Sequence, residues 1–342
     1  MAYSINLPIA AARLSSLVRS FATKRILVIG DMVADEYWIG NPTRVSREAP
    51  VLILELNEES TTPGGAANVA VNARTLGAEV LLTGVVGNDL PGQRLRRAID
   101  SFGMRQEGVI DDPARPTVTK TRILAGNAQV IRQHIVRVDR VDFSEVREPS
   151  RGQLIKYIQH ILPTVDAVML SDYENGMISP MILECSLSLA RQLKKVIVAD
   201  AHEKLFRFQG VTALTPNQPE AERTTGITIT NEERLNEAGR SLLNGSNAQC
   251  ILLTRGAEGM SLFVADEEPL HLPVFPLNHH PSEVSDPNGA GDTVAATFTL
   301  ALTAGASFVE AATLANAAGA LVVRRLGCAS NTPQELMDAF DE

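Results

Sequence analysis

Five short apolar runs, each ending in a polar residue, constrain the fold of this chain more than any other feature of its sequence. They are rich in β-branched residues and scarcely alternate between apolar and polar positions: 25–31, 167–172, 196–200, 212–217 and 250–255. Such runs are typical of strands buried on both faces, as in a parallel sheet. Helical patterns lie between them, at 151–163, 179–193 and 231–246. The alternation of strand and helix predicts an α/β fold.

Polar side chains at the ends of these runs predict where a ligand binds. They are Asp31, Asp172, Asp200, Asn217 and Thr254. Ligands of open α/β sheets bind outside the carboxyl ends of the strands, so we expect these residues to meet at one edge. The alternative for each is a cap on the helix that follows.

Two regions interrupt the alternation of strand and helix. Residues 36–56 and 117–138 contain runs typical of exposed strands, and Gly126-Asn127 separates two runs of the second region like the turn of a hairpin. We interpret them as a small antiparallel sheet inserted in a single domain that covers 1–342. Its predicted use is a lid over the site or an interface, since both would cover strand edges.

The segment 286–293 (DPNGAGDT) carries the strongest chemical signal. It precedes a strongly helical run, and a helix N-terminus presents amide groups and partial positive charge to an anion. Donors of this kind stabilise charge on a phosphoryl group in transfer. Asp292 beside such a site is placed to accept the proton of an attacking hydroxyl. A glycine-rich turn with Asp292 as a helix cap is the alternative.

Three further segments are weaker candidates. Glycines 64 and 65 precede an Ala-rich helix in which Asn68 would lie one turn along, although Gly-Gly also makes ordinary turns. The segment 254–259 (TRGAEG) joins two predicted strands and is either a hairpin turn or the lining of a nucleotide site. Asn217 and Glu220 are three residues apart, which suits a helix cap or Mg²⁺ bound through water.

Several classes of protein are disfavoured. The formal net charge is −9 and no basic block occurs, which argues against nucleic acid as a partner. No apolar run approaches the roughly 18–20 residues that span a bilayer, so a cytoplasmic location is expected by elimination. Three dispersed cysteines indicate neither a disulfide framework nor a metal knuckle. The P-loop and dinucleotide-binding motifs are absent.

The two glycine-rich segments together resemble a known family. In this order, 64–68 (GGAAN) and 286–292 (DPNGAGD) are similar to the two signatures of the ribokinase-like (PfkB) carbohydrate kinases, and the resemblance extends from about residue 25 to about 336. It implies a Rossmann-type core with a mostly parallel sheet and a β-sheet lid, which often forms a homodimer. It also implies ATP as phosphoryl donor, Mg²⁺ as cofactor, and a monovalent cation such as K⁺ near Asp286.

The resemblance assigns roles to individual positions. Asp292 matches the catalytic base, and the anion hole is formed by the amides of Asn288, Gly289, Ala290 and Gly291. The positions expected to bind the sugar are Asp31, Asp35, Gly64, Gly65, Asn68, Lys120, Arg122, Asp172 and His202. Those expected near the nucleotide are Asn217, Glu220, Thr254, Gly256, Gly259 and Asn316. Glu220 and Asp286 are the expected metal positions.

Within the family, the chain looks most like the heptose 7-phosphate kinase module of ADP-heptose synthesis. The supporting stretches include 44–50 (RVSREAP), 117–122 (TVTKTR) and 170–173 (LSDY). His202 stands where those kinases usually have a lysine, which would meet the phosphate of the substrate. Arg47, Arg122 and Arg132 are candidates to supply the missing charge. No His-x-Gly-His motif of an adenylyltransferase half is present. The alternatives are another sugar kinase of the family, a nucleoside kinase, or a sugar-binding regulator without activity.

Overall fold

The computed structural model describes residues 9–126, 133–277, 286–325 and 327–341. In chain order its strands are β1 (Arg25–Gly30), β2 (Met32–Val45), β3 (Leu52–Gly65), β4 (Glu79–Gly87), β5 (Arg105–Asp112), β6 (Val118–Ala125), β7 (Gln133–Arg140), β8 (Ala167–Asp172), β9 (Val196–Ala201), β10 (Ala213–Leu214), β11 (Cys250–Thr254), β12 (Met260–Val264) and β13 (Leu270–Leu272).

The helices connect the strands of the core and cover them. They are α1 (Ala11–Ser20), α2 (Ala66–Thr75), α3 (Leu90–Ser101), α4 (Ser150–Ile161), α5 (Pro180–Gln192), α6 (Gln218–Thr225), α7 (Glu232–Ser246), α8 (Ala290–Thr303), α9 (Phe308–Val322) and α10 (Pro333–Asp341). The helical patterns at 151–163, 179–193 and 231–246 correspond to α4, α5 and α7.

A large, mostly parallel sheet forms the core, as predicted. In the described part of the chain its order is β13-β12-β11-β10-β9-β8-β1-β4-β5. Within this order, the strands β11, β10, β9, β8, β1, β4 and β5 run parallel to one another. β12 and β13 are added antiparallel at the edge beside β11. The sequence analysis did not name β4, β5 or β13.

Helices cover both faces of this sheet, which explains the unalternating apolar runs. Along β1, Ile26 and Val28 pack in one apolar cluster, with side chains of α1, α2, α8 and α9. Leu27 and Ile29 pack in a second cluster, with side chains of α4, α5 and α7. Because successive side chains of a strand point to opposite faces, a strand covered on both sides needs apolar residues at every position.

A smaller sheet of order β3-β2-β6-β7 forms the predicted lid. The pairs β2–β3 and β6–β7 are antiparallel, and β2 and β6 run parallel between them. The first hairpin runs from Met32 to Gly65, so the interval 36–56 covers only its outer part. Asn127 of the expected turn lies outside the described residues, as does Arg132.

The lid hairpin is inserted between the first strand of the core and the helix that follows it. β2 begins one residue after Asp31, and β3 ends at Gly65, where α2 begins. The register pairs Met32 with Gly65 and Val33 with Gly64. The first glycine cluster therefore lies beside the carboxyl end of β1.

Candidate active site

Asp292 lies in the first turn of α8, at the end of the second glycine-rich segment. Gly289 precedes the helix with φ 76°, a left-handed conformation that favours glycine. The first hydrogen bond of the helical ladder runs from the Thr293 amide to the Gly289 carbonyl over 3.0 Å. The amides of Gly291 and Asp292 thus precede the ladder, at the positively polarised end of the helix.

Two donors hold the carboxylate of Asp292. Asn68 Nδ2 donates to Oδ2 over 2.6 Å, and the Tyr173 hydroxyl donates to Oδ1 over 2.8 Å. Asp292 is 5% exposed. Burial raises the pKa of its carboxyl to about 6, although both hydrogen bonds and nearby His202 act to lower it. A carboxylate with this pKa is ionised at neutral pH and still basic enough to accept a proton.

Local geometry at the first glycine cluster brings Asn68 to Asp292. Gly65 caps α2 with φ 57°, so the chain turns from β3 directly into the helix. Asn72, one turn after Asn68, accepts a hydrogen bond from the Thr293 hydroxyl over 2.7 Å. The two hydrogen-bonded pairs tie α2 to the first turn of α8.

Asp31 holds the loop that carries Tyr173. Its carboxylate accepts hydrogen bonds from the backbone amides of Tyr173, Asn175 and Met177, at 2.8, 3.1 and 3.1 Å. Burial raises the pKa of Asp31, and the three amides oppose that shift. The structure thus supports a positioning role for this predicted sugar-binding residue.

His202, Glu220 and Asp200 form an acidic cluster beside Tyr173. His202 Nδ1 lies 2.5 Å from Glu220 Oε1, and the His202 ring meets the Tyr173 ring edge-on, with centroids 4.3 Å apart. Burial lowers the pKa of His202, but the bond to Glu220 and the charge of Asp200 outweigh it and the net shift is upward. Burial raises the pKa of Asp200 to about 7, with nearby Asp292 and Glu220 adding to the shift.

On the lid, Arg122 and Lys120 differ in their surroundings. Arg122 Nη1 lies 2.6 Å from Asp35 Oδ1, and both side chains are 8% exposed. Lys120 Nζ stands 4.9 Å from the centroid of the Tyr173 ring. Among the residues that the structure describes, no carboxylate lies within ion-pair distance of Lys120. Lys120 thus brings a positive charge close to the Tyr173–Asp292 pair without forming a direct ion pair among the described residues.

Gly64 allows Asp35 to approach the first glycine cluster. A Cβ atom at Gly64 would lie 2.8 Å from Cγ of Asp35, so any larger residue would require the Asp35 carboxylate to shift. Cys328 also approaches this carboxylate, with Sγ 3.9 Å from Oδ2. The predicted sugar-binding residues Asp35 and Gly64 are therefore neighbours, as expected of one pocket.

Asp172 is directed to a different partner. Arg207 Nη2 donates to its Oδ2 over 2.6 Å, and the Glu174 amide donates to Oδ1. Burial raises the pKa of Asp172 to about 6, although Arg207 acts to lower it. Asp172 thus lies at the predicted edge, but its contacts stabilise the loop that follows β8.

The residues expected near the nucleotide form a second group. Asn217 and Thr254 are joined by a single parallel bridge, and the Thr254 amide donates to the Pro216 carbonyl. Asn316 Nδ2 donates to the Pro273 carbonyl over 2.7 Å. A Cβ atom at Gly259 would lie 2.8 Å from Cα of Pro273, so the 254–259 turn and α9 meet at this proline.

The alternative interpretations of two segments, a hairpin turn at 254–259 and a helix cap at Asn217 and Glu220, are also found in the structure. The segment from Arg255 to Gly259 is a hairpin turn between β11 and β12, with Gly256 at φ 54°. Asn217 and Glu220 form a reciprocal capping box at the start of α6. A local cap and a ligand contact are compatible, because a carboxylate or amide oxygen that accepts one hydrogen bond has a second lone pair.

The two residues expected to bind metal, Glu220 and Asp286, make hydrogen bonds to neighbouring protein groups. Glu220 accepts from the Asn217 amide and contacts His202, while Asp286 accepts from the amides of Asn288 and Gly327. Within the described ranges, no three His, Cys, Asp or Glu side chains are grouped so that they could hold a metal ion. The Asn288 amide, used by Asp286, and the Ala290 amide, which donates to the Pro287 carbonyl over 3.3 Å, are already partnered. Gly289 and Gly291 remain the better anion-hole candidates.

Tyr173 and Cys328 are site residues that the sequence reasoning did not assign. Tyr173 directly follows the strand-end residue Asp172, so its position after β8 was the available signal. Cys328 lies beyond α9, and a Cβ atom at Gly289 would lie 3.4 Å from its Sγ. Nothing in its sequence neighbourhood indicates that contact.

Comparison with known proteins gives a consistent picture. A family model described as "pfkB family carbohydrate kinase" matches residues 23–335. The bifunctional protein HldE of Caulobacter vibrioides is 40% identical over 326 residues, 94% of this chain and 65% of that protein. The bifunctional protein HldE of Geobacter metallireducens is 38% identical over 315 residues, 92% of this chain and 62% of that protein. The chain thus spans less than two thirds of the length of these relatives.

Solved structures share the fold at low identity. Arabidopsis thaliana ribokinase complexed with ribose and ATP superposes with a TM-score of 0.74 at 20% identity, covering 93% of this chain and 99% of that one. Phosphofructokinase-2 from Escherichia coli in complex with substrates and products gives 0.72 at 17%, covering 93% and 98%. In the described ranges, no helix is long and apolar enough to cross a membrane.

Proposed function

Because the chain belongs to the pfkB family of carbohydrate kinases, we propose that it transfers the γ-phosphoryl group of ATP to a hydroxyl of heptose 7-phosphate, giving heptose 1,7-bisphosphate. The chain is a phosphotransferase that acts on a sugar hydroxyl, and the family implies ATP as donor. The observation that carries the proposal is the buried Asp292 carboxylate at the N-terminus of α8, held by Asn68 and Tyr173.

The proposed reaction assigns one bond change to each group. The acceptor oxygen attacks the γ-phosphorus while its proton passes to Asp292. The bond between the γ-phosphorus and the oxygen of ADP breaks, and its electron pair remains on ADP. The amides of Gly289 and Gly291 offset charge on the transferred group, because they lie at the positive end of α8.

The donor set of this chain supports magnesium held through water rather than by direct ligation. Glu220 and Asp286 are each occupied with backbone or side-chain partners. Mg²⁺ keeps several waters and is usually bound through one or two carboxylates and the substrate phosphates. When bound with ATP, the ion would neutralise phosphate charge. Glu220 is the proposed water-mediated contact, and K⁺ near Asp286 stays a prediction.

A phosphorylated acceptor is supported by the charges around Asp292. His202, which replaces an expected lysine, is engaged with Glu220, and Arg122 is engaged with Asp35. Lys120 lies over Tyr173 and has no carboxylate partner in the described residues. We therefore place the acceptor phosphate nearest Lys120. The resemblance to the heptose 7-phosphate kinases also supports a phosphorylated acceptor.

The test is an assay of ADP release over a panel of acceptors. The panel contains heptose 7-phosphate, fructose, fructose phosphates, ribose, ketodeoxygluconate and nucleosides. We expect the highest kcat/KM with heptose 7-phosphate. A clear preference for an unphosphorylated sugar or for a nucleoside would overturn the proposed heptose 7-phosphate kinase activity and support the corresponding alternative kinase. Binding of a sugar without release of ADP would favour a regulator.

Asp292→Asn tests the proposed base. We expect kcat to fall by about 10²- to 10⁴-fold, the range that a general base contributes. The exposed Asp100 on α3 offers a matched control, and Asp100→Asn should leave the rate unchanged. Near-normal turnover by a folded Asp292→Asn protein would refute the assignment.

We also propose that the lid joins two copies of the chain. Its strands carry apolar side chains that are about half exposed, namely Leu56 57%, Ile135 46%, Val136 47% and Val138 54%. Exposed apolar residues on a sheet are typical of interaction surfaces. Analytical ultracentrifugation should give the mass of a dimer, and Val138→Lys should shift the protein to monomer. A monomeric parent protein would contradict the proposal.

A further inference from the structure

Tyr173 contacts the proposed base directly, and no role has been assigned to it above. Its hydroxyl donates to Asp292 Oδ1 over 2.8 Å, while Asn68 Nδ2 donates to Oδ2 over 2.6 Å. Each carboxylate oxygen has two lone-pair directions, so each donor occupies one and leaves one. Two donors on different oxygens also fix the rotation of the carboxylate plane.

We propose that Tyr173 is a positioning residue for phosphoryl transfer, whose hydroxyl orients the Asp292 carboxylate so that a free lone pair faces the acceptor hydroxyl. The inference rests on the proposed function, since it takes Asp292 as the base. The inference adds Tyr173 to the proposed site as a residue that neither gives up nor takes a proton during the reaction. The acceptor proton goes to Asp292, and Tyr173 keeps its own proton throughout.

Three different elements hold the Tyr173 side chain and backbone in place. The Tyr173 amide donates to Asp31, which follows β1. The His202 ring, after β9, meets the Tyr173 ring edge-on at an interplanar angle of 88°. Lys120 Nζ, from the lid strand β6, lies 4.9 Å from the ring centroid. A phenol fixed in this way holds its donor in one place, which is what a positioning group requires.

The charges and burial around Tyr173 and Asp292 determine which of the two groups carries a proton. The titratable groups that face the Tyr173–Asp292 pair are Asp35, Lys120, Asp200, His202 and Cys328, and Glu220 contacts His202 behind them. Burial, with the charge of Asp292, raises the pKa of Tyr173 well above its usual value. Tyr173 therefore remains a donor at any physiological pH. Its hydrogen bond opposes the burial that raises the pKa of Asp292.

The test uses Tyr173→Phe, which retains the ring and removes only the donor. Tyr157→Phe is the matched control, because Tyr157 belongs to α4 and packs against Gly108 of β5, the edge strand of the core sheet. ADP release is measured from pH 5 to pH 9 with heptose 7-phosphate, or with whichever acceptor of the panel the parent protein uses. Thermal melting checks that each variant is folded.

Loss of the Tyr173 hydroxyl removes a hydrogen bond that favours the ionised form of Asp292, so the pKa of Asp292 should rise from about 6 by roughly one pH unit. The pH at which kcat falls on the acid side should rise by the same amount. At pH 6 the ionised fraction would fall from about one half to about one tenth, a roughly fivefold loss. At pH 8 the Asp292 carboxylate is ionised in both proteins, so only the loss of kcat from poorer orientation of that carboxylate, roughly two- to tenfold, should remain. Tyr157→Phe should follow the parent protein at every pH.

An equal loss at pH 6 and pH 8, or no loss at all, would overturn the inference. A second measurement needs no acceptor. With ¹³C-labelled aspartate, the carboxyl signal of Asp292 is assigned from its absence in Asp292→Asn and titrated in both proteins. We expect a higher pKa in Tyr173→Phe, and an unchanged pKa rejects the role. Failure of the proposed function appears separately, as a parent protein that does not phosphorylate heptose 7-phosphate.

Discussion

Asn68 Nδ2 lies 2.6 Å from Asp292 Oδ2, although the two residues are 224 positions apart in the chain. Each residue follows its own glycine-rich segment at the start of a helix, α2 for Asn68 and α8 for Asp292. This bond makes the two segments one site. It also places an uncharged donor on the proposed base, where a charged donor would depress the pKa of Asp292 much further.

Replacement of Asn68 by leucine tests this bond. Leucine has a similar size but no donor, so the ionised form of Asp292 loses a partner and its orientation. We expect kcat at pH 7 to fall by roughly 10- to 100-fold, because small misplacements of reacting groups are costly. Asn244→Leu, at an exposed position of α7, is the control. Equal rates for the two variants, measured as ADP release, would show that Asn68 is dispensable.

Gly289→Ala should disturb the same contact from the other side. Gly289 has φ 76°, and a Cβ atom there would lie 2.8 Å from Asn68 Nδ2. Gly226 has a similar φ of 71°, but a Cβ atom there would meet nothing within 4 Å. Both substitutions should lower the free energy of unfolding by about 1–2 kcal/mol, the cost of a left-handed alanine. Only Gly289→Ala should lower kcat, by about 100-fold.

Urea unfolding and ADP release measured on the same two proteins separate these effects. A matched loss of activity in Gly226→Ala would mean that backbone strain alone affects turnover. Full activity of Gly289→Ala would mean that Asn68 shifts without harm to Asp292.

Asp200→Asn should stabilise the protein above pH 4. Burial raises the pKa of Asp200 from 3.8 to about 7, so between these values the unfolded chain releases a proton that the folded chain retains. Stability is therefore lost as pH rises through this window, and the loss is complete above about pH 7. Asparagine avoids the loss and can still accept the Thr215 hydroxyl bond.

The expected result is a melting temperature above that of the parent protein by roughly 2–5 °C at pH 8, with little difference at pH 4. Calorimetry at several pH values gives the comparison. A stabilisation of the same size at both pH values would show that the raised pKa of Asp200 is not its cause.

The ion pair of Arg122 with Asp35 should matter more than a similar pair on the next strand. Arg122 and Asp35 are both 8% exposed, whereas Arg137, which pairs with Asp139 on β7, is 55% exposed. Arg122→Met leaves a buried carboxylate without its partner and should cost about 3–5 kcal/mol of unfolding free energy. Arg137→Met should cost less than about 1 kcal/mol, since solvent screens the pair. Equal costs in urea unfolding would contradict the difference in burial.

The fold class could be predicted because strands buried on both faces require apolar residues at every position. That requirement is local, and β8, with all six residues buried, shows it plainly. The run 212–217 also predicts a strand, but only Ala213–Leu214 form one there, paired with β9 on one side and β11 on the other, so the extent of β10 depends on its neighbours in the sheet. The cytoplasmic location and the roles of the nucleotide-side residues stay predictions.

The sequence by itself determined the α/β core, the lid and the two glycine-rich segments with Asn68 and Asp292, because burial and left-handed glycines act on neighbouring residues. Only the tertiary structure decided which side chains meet at Asp292. Tyr173 reaches it across 119 positions, and His202 faces Glu220 rather than standing as an isolated cation. Such contacts depend on how strands and helices far apart in the chain pack together, and no short stretch of sequence records them.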